Sequence, residues 1–438
     1  MAVAAAPVAQ GERIRTLDIL RGVAVCGILL MNIPAMGLMW HLPRPVAPAR
    51  ANADWVAYTI QMVTLEGSMR GLFTLLFGAG MLVMLRGASD ARAPAAQAYL
   101  TRCFALMLIG VVNFAIFLWP GEILFNYGVC GLALLLFWRA EVRVLITAAA
   151  AILVAMTIHV GAGAFANAEM IRDGQAAAAA KARGEPLSEA QKKALESHAK
   201  MLARAHPDAK AIAEERKART TYPAVMKWSV QRWVEFNFGK HALAILGESL
   251  ALMLLGMALF RLNVLSGERP LRFYLTLTAI GYGLGITVRG LFAALQWRHG
   301  FEPNPAVAGL YGWIYQAGRV PTTLGLLGLV IALHKLGALR WLEGGLTAIG
   351  RLALTNYVGQ SVITSVLFYG LGYWHRFGFA QLMGVAVLIW AVHGVFSVLW
   401  LRRWQMGPLE WLLRSVAYGR WQPLERTPAR GEALAPAE

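Results

Sequence analysis

The stretch HALAILGESLALMLLGMALF, residues 241–260, decides the class of fold. Apart from His241, Glu248 and Ser249, it holds only apolar residues and glycine. Wound as an α-helix, such a run is about 30 Å long, the thickness of a bilayer's hydrocarbon core. Working outward, the pattern recurs. Segments 17–38, 68–87, 99–119, 121–138, 143–165, 241–261, 271–296, 308–336, 346–371 and 378–401 are each predicted to span a membrane. The third and fourth are separated by little more than Pro120 and Gly121, which predicts a tight helical hairpin. The expected fold is therefore all-α: a polytopic membrane bundle of about ten transmembrane helices.

Composition agrees. Of the 438 residues, 58% are hydrophobic and 15% charged, where soluble domains average roughly 45–50% and about 25%. A soluble enzyme and a disordered chain are both disfavoured. Lys and Arg number 41 against 24 Asp and Glu, a net charge of +17. In an apolar chain this excess is read as cations holding cytoplasmic loops and meeting anionic lipid, not as a nucleic-acid footprint. Cys26, Cys103 and Cys130 lack C-x-x-C spacing and read as packing thiols, so neither disulfide nor metal is expected.

The positive-inside rule predicts both termini to be cytoplasmic in a bacterial inner membrane. Arg13, Arg15, Arg86, Arg102, Arg139, Arg143, Arg261, Arg269, Arg272, Lys335 and Arg340, with tail residues such as Arg402, Arg426 and Arg430, fall on one side. Only Arg44, Arg50, Arg298 and Arg376 occupy the short loops of the other. The first apolar run is read as a retained helix rather than a cleaved leader. Four regions follow: helices 1–5 in 1–165, an outer insertion over 166–240, helices 6–10 in 241–401, and a basic tail over 402–438. The insertion is Ala/Glu/Lys-rich, with Ser188-Glu-Ala-Gln191 as a capping box. Residues 221–241, with Trp228 and Trp233, and residues 54–67 read as helices lying at the membrane interface.

Ionisable groups at membrane depth are functional candidates because each costs several kcal/mol unless paired. Helix 1, RIRTLDILRGVAVCGILLMNIPAMG (13–37), aligns Asp18, Arg21 and Asn32 on one face; Asp18 and Arg21 pair across a turn. Helix 2 opens with Glu66 and Arg70 an i,i+4 pair, and Gly71, Gly78 and Gly80 permit close helix approach. Helix 4 begins WPGEILFNYG (119–128), where Glu122 is either a site carboxylate or a favourable charge at a helix N-terminus. Glu248 is expected to pair with Arg289 or Arg319. Helix 9 places Arg351 near the inner side, then a stripe of Asn356, Gln360 and Thr364 that must face protein or water. Interhelical hydrogen bonding is the structural alternative for that stripe. His41 follows helix 1 on the outer side; His159, His334 and His393 read as satisfied or interfacial.

TLDILRGVAVCGILLMNI (16–33), LFTLLFGAGM (72–81), WPGEILFNYGVCGL (119–132), GRLALTNYVGQS (350–361) and WLRRWQMGPLEWLLRSVAYG (400–419) together resemble the YeiB family. Its carboxyl half is known as domain of unknown function 418. The motifs occur in the expected order over almost the whole chain. The chain departs from the family pattern at Glu122, where Asp is common, and at Asn113, where His is frequent. The opening L-D-x-x-R-G helix is also similar to that of transmembrane acyltransferases of the heparan glucosaminide acetyltransferase type. That resemblance implies acyl transfer from cytoplasmic acyl-CoA to an extracytoplasmic acceptor, with His41 at a place similar to those enzymes' histidine.

The leading expectation is thus a membrane acyltransferase with acyl-CoA as co-substrate. His41, Glu66 or Glu122 would supply the base. Asn32, Asn356 and Gln360 would polarise the thioester, and Arg21 and Arg351 would face the CoA phosphates. Asp18, Arg70, Glu248, Arg289 and Arg319 complete the binding set. The alternative is a transporter or exporter of a small polar or anionic solute, its pathway lined by the same buried Arg and Glu residues. Expected partners are the lipid bilayer and a small-molecule or glycan acceptor. The oligomeric state stays open, a homodimer included.

Overall fold

The computed structural model describes residues 14–46, 51–85 and 92–425. Arg13, Arg50, Arg86, Arg426 and Arg430, which enter the charge asymmetry, lie outside the described residues. Helix α1 (Arg15–Gly37) starts with Asp18 in its first turn, where a carboxylate suits the helix dipole. Helices α2 (Ala53–Thr64) and α3 (Ser68–Met84) form one apolar stretch broken at Gly67, which adopts φ +70°. Helix α4 (Arg92–Ala115) and α5 (Leu124–Leu134, continued as a 3₁₀ turn to Phe137) make the hairpin around Pro120 and Gly121.

Helix α6 (Val142–Ala182) runs straight through residue 165, where the insertion was expected to begin. The cause is its alanine-rich second half, since alanine is the strongest helix former. Helices α7 (Glu189–Ala205), α8 (Ala209–Lys217) and α9 (Tyr222–Phe238) then form a cap. Ser188 and Gln191 make the capping box that opens α7. Helices α10 (Ala242–Arg261), α11 (Leu271–Arg298) and α12 (Pro305–Lys335) return to the bundle. The segment expected over 346–371 is divided. Helix α13 (Arg340–Arg351) ends at Leu352, and α14 (Ala353–Ser365) continues as a π turn over Val366–Gly370. Helix α15 (Phe379–Arg403) and α16 (Pro408–Ala417) complete the order.

Among the described residues, eight helical stretches are long and apolar enough to cross a membrane, and Leu124–Phe137 is a shorter apolar one. The described residues contain no strand, only the isolated bridges Met39–Leu42 and Trp404–Glu425. Without a hydrophobic force between helices in lipid, close packing decides contacts, and glycine allows it. A Cβ on Gly78 would stand 2.0 Å from the Met253 carbonyl oxygen, and one on Gly256 2.0 Å from that of Leu75, so α3 and α10 meet backbone to backbone. Gly71 likewise abuts Thr323, but Gly80 faces open space and takes no part in this approach.

One end of the bundle, the basal end, gathers the start of α1, α13 and α16. Arg15 pairs with Glu343 at 2.9 Å, and Glu410 of α16 accepts from the Leu354 and Thr355 amides that open α14. The opposite end carries the cap. Helix α9 does not simply lie on a lipid surface. Ser229 bonds the Phe114 carbonyl at 2.7 Å and Trp233 stacks on Phe114 at 4.0 Å, because the hairpin offers those aromatic faces a protein partner.

Candidate functional site

The break between α2 and α3 organises a charged cluster inside the bundle. Leu65 and Glu66 both donate their amides to the Gln61 carbonyl, and Gly67 then turns the chain in the left-handed region. Gly67 is required twice over: by its φ, and because a Cβ there would lie 2.5 Å from Cδ of Arg319. Arg289 of α11 donates to the backbone carbonyls of Met62 and Glu66 at this break. Glu248 of α10 accepts from Arg319 at 2.8 Å and from Arg70 at 3.1 Å, while its other oxygen accepts from Gln316. The Glu66 carboxylate lies within electrostatic reach of Arg289 and Arg70. Tyr311 and Tyr315 complete the wall; the Arg319 guanidinium sits 5.3 Å from the Tyr315 ring centre.

The structure therefore joins Glu66, Arg70, Glu248, Arg289 and Arg319, which belong to separate sequence segments. Three cations face two carboxylates, leaving one positive charge over. Arg319 is fully buried, yet its Nε and Nη2 meet no protein hydrogen-bond partner, nor does Oε1 of Gln316. Such groups are rare in a buried setting, where each costs about 1–3 kcal/mol if left unmet.

Glu122 is different. Fully buried at the hairpin tip, it accepts from the Leu124 amide at 2.7 Å, the Phe125 amide at 3.1 Å and Trp233 Nε1 at 2.9 Å. Both oxygens are thus held by protein donors at a helix N-terminus. Asn113 is buried nearby on α4, and neither polar atom of its side chain finds a protein partner.

The Asn356–Gln360–Thr364 stripe packs against α1 and α15. Asn356 donates to the Ile349 carbonyl and to Ser397 Oγ and bonds His393 Nδ1 at 2.8 Å. Gln360 donates to the Val25 carbonyl at 3.0 Å. Those donors are engaged between helices. Asp18 and Arg21 pair at 3.0 Å, and Arg351 donates to the Gln405 carbonyl at 2.8 Å, all toward the basal end. Asn32 is half-buried on α1.

His41 sits at the cap end, exposed on one side and surrounded by charges of the insertion: Glu215, Arg204, Arg232 and Arg219. Burial of its inner side, aided by those arginines and opposed by Glu215, lowers its pKa from the ordinary histidine value. It does not share hydrogen bonds with Asn356 or Gln360, whose partners lie on α1, α13 and α15. Sequence reasoning missed Gln316, Tyr311 and Tyr315; Gln316 lies three residues before Arg319, hence on its face, which is the signal that would have found it. It also missed Glu410, which is remote in sequence from the helix it caps. Among the described residues, no group of three or more His, Cys, Asp or Glu is placed to hold a metal ion.

Comparison with known proteins adds the following. Residues 259–420 match the family described as "Protein of unknown function (DUF418)". The chain is 30% identical over 437 residues to the uncharacterized protein YeiB of Escherichia coli (strain K12), covering 92% of this chain and 96% of that one. It is 28% identical over 429 residues to the uncharacterized protein YxaH of Bacillus subtilis (strain 168), covering 96% and 98%. A 39.9 kDa protein from Bacillus acidopullulyticus is 25% identical over 418 residues, covering 95% and 97%. No solved structure matches.

Proposed function

The chain belongs to the YeiB family, and from that premise we propose that it is a multi-pass acyltransferase of the bacterial inner membrane. It would move an acyl group from cytoplasmic acyl-CoA to an extracytoplasmic acceptor. The observation that carries the reading is the net-cationic cluster at the α2–α3 break, with a carboxylate, Glu66, beside guanidinium donors. In this reading Arg319 and Arg289 hold substrate. Glu66 takes the proton of an acceptor hydroxyl as its oxygen bonds the thioester carbon. Arg70, largely buried beside Glu248, donates to the oxyanion that develops. Collapse breaks the C–S bond, and the proton on Glu66 passes to the departing thiolate. Glu122 acts structurally. His41 serves acceptor entry at the cap end, and Arg21 and Arg351 face the basal end where CoA would approach. The test is release of CoA thiol from acetyl-CoA by purified protein with a membrane lipid and glycan extract. Turnover reduced about 100-fold by Glu66→Gln supports the reading; no release by the wild type removes it.

A second reading has its own support. The stretch Ala53–Met84 is long and apolar enough to span, yet it is broken at Gly67, where backbone carbonyls meet Arg289. Transporters place discontinuous helices at their substrate sites. Counterflow of a small anion in proteoliposomes, lost in Arg319→Met, with no CoA release, would favour an exporter.

A further inference from the structure

We propose that Arg319, Arg289 and the start of α3 at Gly67, which has no side-chain cap, form a buried site for one negatively charged oxyanion group, a carboxylate or a phosphate, on the molecule this protein handles. The inference rests on the reading that the charged cluster is the substrate site, and it names the class of group held there.

Four observations converge. First, the guanidinium of Arg319 is used on one side only. Glu248 takes Nη1, while Nε and Nη2, buried, meet no protein acceptor. Those two nitrogens form one edge of the guanidinium and donate in parallel, the geometry that matches two oxygens of a carboxylate or phosphate. Second, that edge belongs to a side chain with only 1% of its surface exposed, so water does not screen it. Third, α3 opens without a side-chain cap, at a glycine packed directly against the Arg319 stem. The Ser68 amide is taken by the Leu65 carbonyl at 3.0 Å; the amides that follow in the first turn and the positive end of the dipole favour an anion there. Fourth, the local charge is unbalanced, since Arg70, Arg289 and Arg319 face Glu66 and Glu248 alone. One added negative charge balances it. At membrane depth an uncompensated cation is costly, so the cluster is arranged for an anionic occupant rather than a neutral one.

A free anion and a lipid headgroup present the same chemistry, and the experiment separates them. Purified full-length protein in a neutral, lipid-free detergent is titrated with inorganic phosphate and, separately, with acetate, by calorimetry. In parallel it is titrated in nanodiscs of zwitterionic lipid with and without phosphatidic acid. Saturable binding of phosphate or acetate, weakened at least tenfold in Arg319→Met, supports a soluble anionic substrate. Selective retention of phosphatidic acid by the wild type and not by Arg319→Met supports a lipid phosphate. Arg319→Lys, which keeps the charge but removes the two-nitrogen edge, is expected to weaken the same binding. It serves if Arg319→Met fails to fold. Equal affinity in wild type and both variants, or no saturable binding of any probe, overturns the inference. Because the readout is binding without acyl-CoA, a failed CoA-release assay leaves this result standing, and the reverse holds.

Discussion

Two buried glutamates look alike in sequence and are opposites in structure. Glu122 and Glu248 each stand in an apolar segment. At Glu122 the protein supplies every donor the carboxylate needs: two amides and an indole N–H. At Glu248 the protein supplies more donors than it can use, and part of a fully buried guanidinium is left over. The first arrangement is closed and fixes a hairpin. The second is open and has chemistry to spend on a ligand. What sets the proposed site apart from Glu122 is a buried charged donor left unmatched, not the mere burial of charge.

The sharpest way to break that contrast is to remove each side's key group. Glu122→Ala strands three buried donors, each costing about 1–3 kcal/mol when left unmet. Thermal unfolding in detergent should show the variant severely destabilised, with Glu122→Gln intermediate. Arg319→Met should reverse the pattern. Glu248 keeps Arg70 and Gln316, and two cations then face two carboxylates, so stability falls by about 1 kcal/mol, while turnover drops about 100-fold, as on misplacement of the bound substrate. If Arg319→Met proves as destabilising as Glu122→Ala, the cluster is structural and the contrast fails.

A smaller effect separates packing from site chemistry. Gly78→Ala pushes a Cβ onto the Met253 carbonyl, and overpacking of this kind costs about 1–3 kcal/mol. Gly80→Ala meets nothing within 4 Å and should leave unfolding and activity at wild-type level. Equal losses in the two would refute the backbone contact between α3 and α10.

The smallest effect is at the cap. Burial lowers the pKa of His41 and of His375, with arginines of the insertion, among them Arg204, Arg216, Arg219 and Arg232, acting in the same direction and Glu215 against it. The unfolded chain therefore binds more protons below about pH 6.5, and cap stability declines as pH falls from there toward the depressed values. Hydrogen-exchange protection factors in α8 and α9, with the base-catalysed intrinsic rate divided out, should fall between pH 7.5 and 5.5, and less so in His41→Gln. A pH-independent cap would contradict this.

Much of the bundle was legible because a lipid-spanning helix is written locally, in some twenty apolar residues. The failures were non-local. The run 346–371 reads as one helix, but Leu352 interrupts it and a carboxylate some fifty residues away, Glu410, caps the new start. The cap's α9 reads as interfacial because its partners, Phe114 and Glu122, lie far back in the chain. The members of the charged cluster were each visible as costly residues, and a pairing of Glu248 with Arg289 or Arg319 followed from that cost; the partner is Arg319. The role of Gly67 and the unmatched edge of Arg319 did not, since both depend on how α2, α3 and α12 meet.

The most direct test of the central claim is CoA release in proteoliposomes. Acetyl-CoA labelled in the acyl group is supplied to wild-type, Glu66→Gln, Arg319→Met and Gly80→Ala protein with acceptor extract. The account predicts free CoA and labelled acceptor from the wild type and Gly80→Ala, and about 100-fold less from the other two. Transfer undiminished in Arg319→Met and Glu66→Gln, or none in any preparation, would contradict it.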